Sequence, residues 1–250
     1  MLSIIKKYYL YAAYGGYLDI KIKYKGSVLG PIWSTISILG FALILNELGK
    51  TFAGGDNLGR VKIDYIICNL TFWYYFSTVL SESCTLYTDN SNNLKETTIP
   101  AVVYNLRLMV KNFIVALHNY LGYVIFILVY SIDKTNDLSI SFAALVFFTM
   151  PLLFLSISVS YFSARYSDFK SMIALALQLI FFATPIFWYP IEDNFLTLFV
   201  PYNLVALVMV LARGEVDFGL YIELIIHVIL LYIVMIVAIK NLKEKIIYYI

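Results

Sequence analysis

Two groups of side chains in this sequence have the chemistry to act on something outside the chain. The first is basic. Lys21, Lys23 and Lys25 alternate along Lys21-Ile-Lys-Tyr-Lys-Gly-Ser-Val-Leu-Gly-Pro-Ile-Trp33, and Arg165 stands far downstream. Ammonium and guanidinium groups pair with phosphate oxygens, so the set could meet a diphosphate. Cations beside an apolar run also hold it to the cytoplasmic face of a membrane, and the sequence leaves both readings open. The second group comprises the few polar residues inside apolar runs: Glu82, His118, Gln178, Glu223 and His227. An ionisable residue at membrane depth is a candidate for proton transfer. Glu82 and Glu223, however, fall near the ends of their runs and can reach water, and a histidine bonded to a neighbouring helix is the commoner case. No His, Cys, Asp or Glu spacing suits a metal. Leu48-Gly-Lys-Thr51 imitates the end of a nucleotide-binding loop, but position 44, where that loop needs glycine, is Ile44. The sequence therefore gives the chain no ATPase of its own, and work would have to come from a partner or an ion gradient.

The elements that must position these groups are spans. Of 250 residues, 61% are hydrophobic and 14% charged; a soluble domain carries about 25% charge. The net charge of +2 is too small to suggest nucleic acid as a partner. About 20 mostly apolar residues cross a bilayer, and six runs qualify, near residues 31–52, 65–87, 108–132, 138–164, 171–191 and 218–239. Residues 1–30 are too broken to span. They are rich in Tyr and Lys, lack the clean apolar core of a signal peptide, and suit an amphipathic helix lying in the interface. Against that, Asp19 to Lys25 alternates with the period of a strand. Pro31 opens the first run, where its missing N–H costs little.

A seventh apolar stretch, Asn194–Ala212, contains Pro201 and Asn203. With six crossings, thirteen of the 18 Lys and Arg fall on one side and five on the other, which fits the bias toward positive cytoplasmic loops and places both termini inside. The stretch is then a re-entrant outer element spanning 192–213, tolerated at membrane depth where protein covers it. Cys68 and Cys84 lie sixteen residues apart on one expected helix. That is about 24 Å, beyond disulfide reach, so both read as small apolar fillers.

The doorway residues Tyr24-Lys25-x-Ser27-x-Leu29-Gly30-x-x-Trp33 resemble the opening signature of type 2 permeases of ATP-binding-cassette (ABC) exporters, in the branch that exports O antigen, capsule or teichoic acid. Where many relatives then carry a proline, this chain has Ser37-Ile-Leu-Gly40. Ala164-Arg-Tyr-x-Asp168 and Phe181-Phe-Ala-Thr-Pro-Ile186 are similar to the family as well, and Trp73 to Phe76 and Asn203 match more weakly.

The resemblance implies an all-α membrane protein with six transmembrane helices, an N-terminal interfacial helix and a short gate element before the last span. It implies a transport subunit in a bacterial cytoplasmic (inner) membrane, working as a homodimer on two ABC ATPase subunits. ATP and magnesium would bind in that partner, with no cofactor in this chain. The cargo implied is a polyprenyl-diphosphate-linked polysaccharide, most closely O antigen. Its diphosphate would meet Lys21, Lys23, Lys25 and Arg165. Its sugar rings would stack weakly, and so slide, on Trp73, Tyr74, Phe76, Phe181, Phe182, Phe187, Trp188 and Tyr189, although membrane belts and core packing account for most of the 22 Tyr and 18 Phe. Thr88 to Pro100 (TDNSNNLKETTIP) would hold the coupling helix, with Asn90, Asn93, Leu94, Lys95 and Glu96 touching the ATPase; an ordinary solvated loop is the plainer reading. A permease for a drug or other small cargo, an ion-coupled carrier and a non-transport scaffold stay open as alternatives.

Overall fold

Glycines, prolines and capping side chains set where the helices of this chain begin and end. The computed structural model describes residues 2–52, 62–130, 137–188, 203–212 and 218–242, and among them every regular element is helical. In chain order these are α1 (Leu2–Lys23), α2 (Ile32–Phe52), α3 (Ile63–Ser83), α4 (Leu86–Asp89), α5 (Ser91–Glu96), α6 (Val102–Tyr130), α7 (Leu138–Arg165), α8 (Phe169–Ala183), α9 (Leu204–Ala212) and α10 (Phe218–Leu242). Between α1 and α2 the backbone turns through Gly26 (φ +80°) and Gly30 (φ +54°), a left-handed conformation that favours glycine. Asp137 caps α7, its carboxylate accepting the Ser139 and Ile140 amides.

α3 is the centre of the bundle. It touches α2, α6, α7, α8 and α9, and residues 64–73 are buried without a break. The outer helices bury one stripe each. α10 buries Leu224, Met235 and Ala238, spaced so that all three share a face, and packs mainly on α7. The rest of α10 exposes Ile222, Ile225, Ile226, Ile229, Ile233 and Val237. α8 has no fully buried residue: Ile173, Leu177 and Ile180 lean on the core while Met172, Leu175, Leu179 and Phe182 are exposed. Apolar belts this wide do not occur on water-soluble monomers and mark a membrane protein. Among the described residues, Val102–Tyr130, Leu138–Arg165 and Tyr221–Lys240 are long and apolar enough to cross a bilayer; Ile32–Leu48 and Phe169–Ala183 are shorter apolar helices.

The structure corrects several boundaries. The run at 65–87 is not one helix: α3 stops at Ser83, and α4 starts a separate turn at Leu86. The run at 171–191 ends as a helix at Ala183. Pro185 pushes Thr184 into extended backbone (φ −94°, ψ 135°), because its ring clashes with a helical residue before it. α6 begins at Val102, ahead of the expected 108. The strand-like alternation from Asp19 gives way to helix through Lys23. Residues 131–132, 189–202 and 213–217 lie outside the described residues, and with them most of the expected outer element. Its described part, α9, is buried on nearly every side against α7, α3 and α10. Cys68 and Cys84 are both free and buried.

α2 and α6 meet closely at Gly122, where an added Cβ would collide with Thr35 Cγ2. Thr35 donates to Asn119 Oδ1 at 2.9 Å, and the Ser34 hydroxyl lies 2.7 Å from the same oxygen. Polar bonds between small residues are how helices hold one another in lipid. Gly122→Leu should prise the pair apart and cost about 1–3 kcal/mol. This is read as a lower thermal midpoint in detergent, with Leu121→Ala on the exposed face of α6 unchanged.

Candidate functional site

The basic doorway and the expected coupling segment come together at one end of the bundle. α1 packs along α6 through Ala12, Gly15 and Gly16, three small buried residues on one helical face. Asp19 extends that face and holds Arg107 of α6 in a two-point ion pair, with Arg107 Nε donating to Asp19 Oδ2 at 2.5 Å and Nη2 to Oδ1. One turn on, Lys23 Nζ reaches Glu82 at 3.2 Å. The other oxygen of Glu82 takes Lys111 Nζ at 2.8 Å and Asn112 Nδ2 at 2.7 Å. Glu82 thus shares its single charge between two lysines from two helices, and these partners stabilise its carboxylate near the end of an apolar run. Asp19, Lys23, Glu82, Arg107 and Lys111, with Thr85, Asp89 and Asn90, line a cavity of about 380 Å³ between α1, α3, α4 and α6.

The four cations proposed for phosphate have different settings. Lys23 is bound to Glu82. Lys21 is exposed, its ammonium 4.8 Å from the Tyr17 ring centre. Lys25 is exposed beyond the end of α1. Arg165 closes α7 with its guanidinium 5.2 Å from the Tyr166 ring centre. Around the other groups, Gln178 is exposed, and His227 Nδ1 lies 2.8 Å from the Glu223 carbonyl one turn back.

Three of the aromatic candidates, Trp73, Phe182 and Phe187, meet at a fourth, Phe181. Its ring centre lies 5.3 Å from Trp73 in an edge contact, 5.4 Å from Phe182, 6.0 Å from Phe187 and 6.0 Å from Phe41. Trp73 and Phe76 are buried in the core, Phe182 is exposed, and Tyr74, Phe181, Phe187 and Trp188 are half-buried. Tyr189 lies outside the described residues. Composition could not show what fixes the broken end of α8. The Tyr65 hydroxyl donates to the Pro185 carbonyl at 2.7 Å, Asn69 Nδ2 donates to the same oxygen at 3.0 Å, and Asn203 Nδ2 donates to Thr184 Oγ1 at 2.7 Å. Asn203 also caps α9 through its carbonyl oxygen, which accepts the Val205 amide at 3.0 Å. The break that Pro185 forces is therefore stitched to α3 and to the start of α9.

In the Thr88 to Pro100 stretch, α5 points only Leu94 into the core. Asn93, Lys95 and Glu96 are exposed, and Asn90 Nδ2 donates back to the Leu86 carbonyl at 2.8 Å, closing α4. α5 is thus a short helix with one buried anchor and a polar outer face.

No protein-family model matches the chain. Two curated proteins from Klebsiella pneumoniae, each described as an O-antigen export system permease protein RfbA, are 26% identical to it over 178 residues. They support the O-antigen export permease resemblance. The match covers 68% of this chain and 65% of each relative, slightly under two thirds of the relatives' length.

Proposed function

We propose that the chain is the transmembrane subunit of an ATP-driven ABC exporter that moves a lipid-linked O antigen across the bacterial inner membrane. The observation that carries this is the match to two O-antigen export permeases, in a chain whose helices are clothed in apolar side chains. In this reading the chain crosses six times with both termini inside. The outer element re-enters before the last crossing, and two copies pair around the path. α5 docks on the ATPase, which binds ATP and magnesium. Lys21 and Lys25, both exposed, and Arg165 are suited to the lipid diphosphate; Lys23 would have to leave Glu82 to join them. The rings around Phe181 offer the glycan weak, sequence-tolerant contact.

Purification in mild detergent from the native cells tests the reading. The expected result is co-purification of the ATPase, with hydrolysis stimulated by polyprenyl-diphosphate-linked glycan. A protein that purifies alone and transports in step with a proton gradient would overturn it.

A further inference from the structure

We propose that Asn105 is a positioning residue that makes α4 move as one body with α6 and α7, so that a push on α5 reaches the membrane-embedded helices. The proposal rests on the reading that α5 docks on an ATPase. Asn105 on α6 is fully buried and uses its whole carboxamide. Its oxygen accepts the Tyr87 hydroxyl at 2.5 Å, and its amide donates to Ser156 Oγ at 3.0 Å and Ser160 Oγ at 2.9 Å on α7. Ser83 Oγ donates to the Val79 carbonyl at 2.6 Å, so the 2.7 Å contact between Ser83 and Ser156 must be donated by Ser156. The hydrogen bonds then run one way, from Tyr87 on α4 through Asn105 on α6 and Ser156 on α7 to Ser83 on α3, and both amide hydrogens of Asn105 are used. Tyr87 is the single buried residue of α4 and Leu94 that of α5. Both belong to a cluster that includes Tyr161 on α7 and Met235 on α10. A buried carboxamide satisfied at its oxygen and both hydrogens favours one arrangement, because any slip leaves an unmatched donor or acceptor away from water. α4 cannot slide on α6 without breaking it.

The test uses the assembled exporter with its ATPase. Tyr87→Phe deletes one hydroxyl and keeps the ring, whose centre packs 5.2 Å from that of Tyr161. The expected result is normal assembly and ATP hydrolysis, with glycan exported per ATP reduced about tenfold. Ser160→Ala should do the same from the other side of Asn105, and the double variant should be no worse than either alone. Unchanged glycan per ATP in both single variants, or losses that multiply in the double, would overturn the proposal. Lys95→Glu on the exposed face of α5 separates the two readings. If it leaves ATPase binding and export intact, the docking reading falls. If it disrupts binding while Tyr87→Phe stays fully coupled, only the role of Asn105 falls.

Discussion

Glu82→Gln should destabilise the purified protein by about 2–3 kcal/mol and free the C-terminal end of α1. Gln has the shape of Glu and can still accept from Asn112, so packing is nearly conserved and the lost quantity is charge. Lys111, whose side chain is 15% exposed, is then left without its counter-ion. Removing one member of a buried pair costs about 3–5 kcal/mol, since the other charge stays desolvated. The lower figure follows because the Glu82 side chain is 26% exposed, so water relieves part of the strain. The partners should rank by burial. Lys23→Gln removes a lysine whose side chain is 39% exposed and should cost no more than about 1 kcal/mol, the range of surface pairs. Glu82→Gln combined with Lys111→Met should recover most of the loss, because no unpaired charge then remains inside. Thermal midpoints in detergent for the two single variants and the double measure this. A double variant as unstable as Glu82→Gln alone would show that Lys111 is not the stranded charge.

That ion-pair set shows where the sequence could be read and where it could not. The apolar run at 138–164 becomes α7 almost residue for residue, because hydropathy averaged over twenty residues tolerates scattered hydroxyls and α7 carries no charged residue before Arg165. Glu82 is different. Its partners Lys23 and Lys111 lie 59 and 29 positions away, so nothing local distinguishes an ion-paired carboxylate from one that reaches for water. The run at 171–191 looked continuous for the opposite reason. Hydropathy does not register backbone geometry, and the local signal that ends α8, a proline at 185 acting on Thr184, is invisible to it. Tyr65 and Asn69, which hold that broken end, lie in a helix more than a hundred positions upstream. The lysines at 21, 23 and 25 were legible as a basic doorway, but only the fold shows that one of them is already engaged. Asn105 and Tyr87 carried no signal beyond being polar residues near apolar runs. The small-residue face of α1 was legible in principle, since Ala12, Gly15, Gly16 and Asp19 fall on one side of a helix.

Gly16→Ala should detach α1 from α6, with a larger effect than Gly15→Ala one residue earlier. The two glycines face different atoms. A Cβ at Gly15 would lie 2.9 Å from Arg107 Cδ, part of a long side chain that can shift by a few tenths of an ångström. A Cβ at Gly16 would lie 2.8 Å from the Arg107 backbone oxygen and 2.9 Å from Val110 Cβ and Cγ1. Neither the backbone of α6 nor a β-branched residue in its middle can retreat, so α1 must move as a whole. Overpacking of this kind costs about 1–3 kcal/mol, and α1 is held to the bundle mainly through this face and two ion pairs. If about 2 kcal/mol is lost, the population of the undocked helix rises roughly thirtyfold. Ala12, 3% exposed on the same face, reports it: Ala12→Cys, in a chain with Cys68 and Cys84 replaced, should react with a maleimide at least tenfold faster when Gly16→Ala is added, and only slightly faster with Gly15→Ala. Because α1 supplies Asp19 and Lys23 to the cavity wall, its release removes one side of the charged cavity and leaves Arg107 and Glu82 each short of a partner. Under the proposed function, export should fall in the same order as the labelling rises. Equal labelling in the two glycine variants would mean that α1 is held by its ion pairs alone and that the close approach at Gly16 carries no weight.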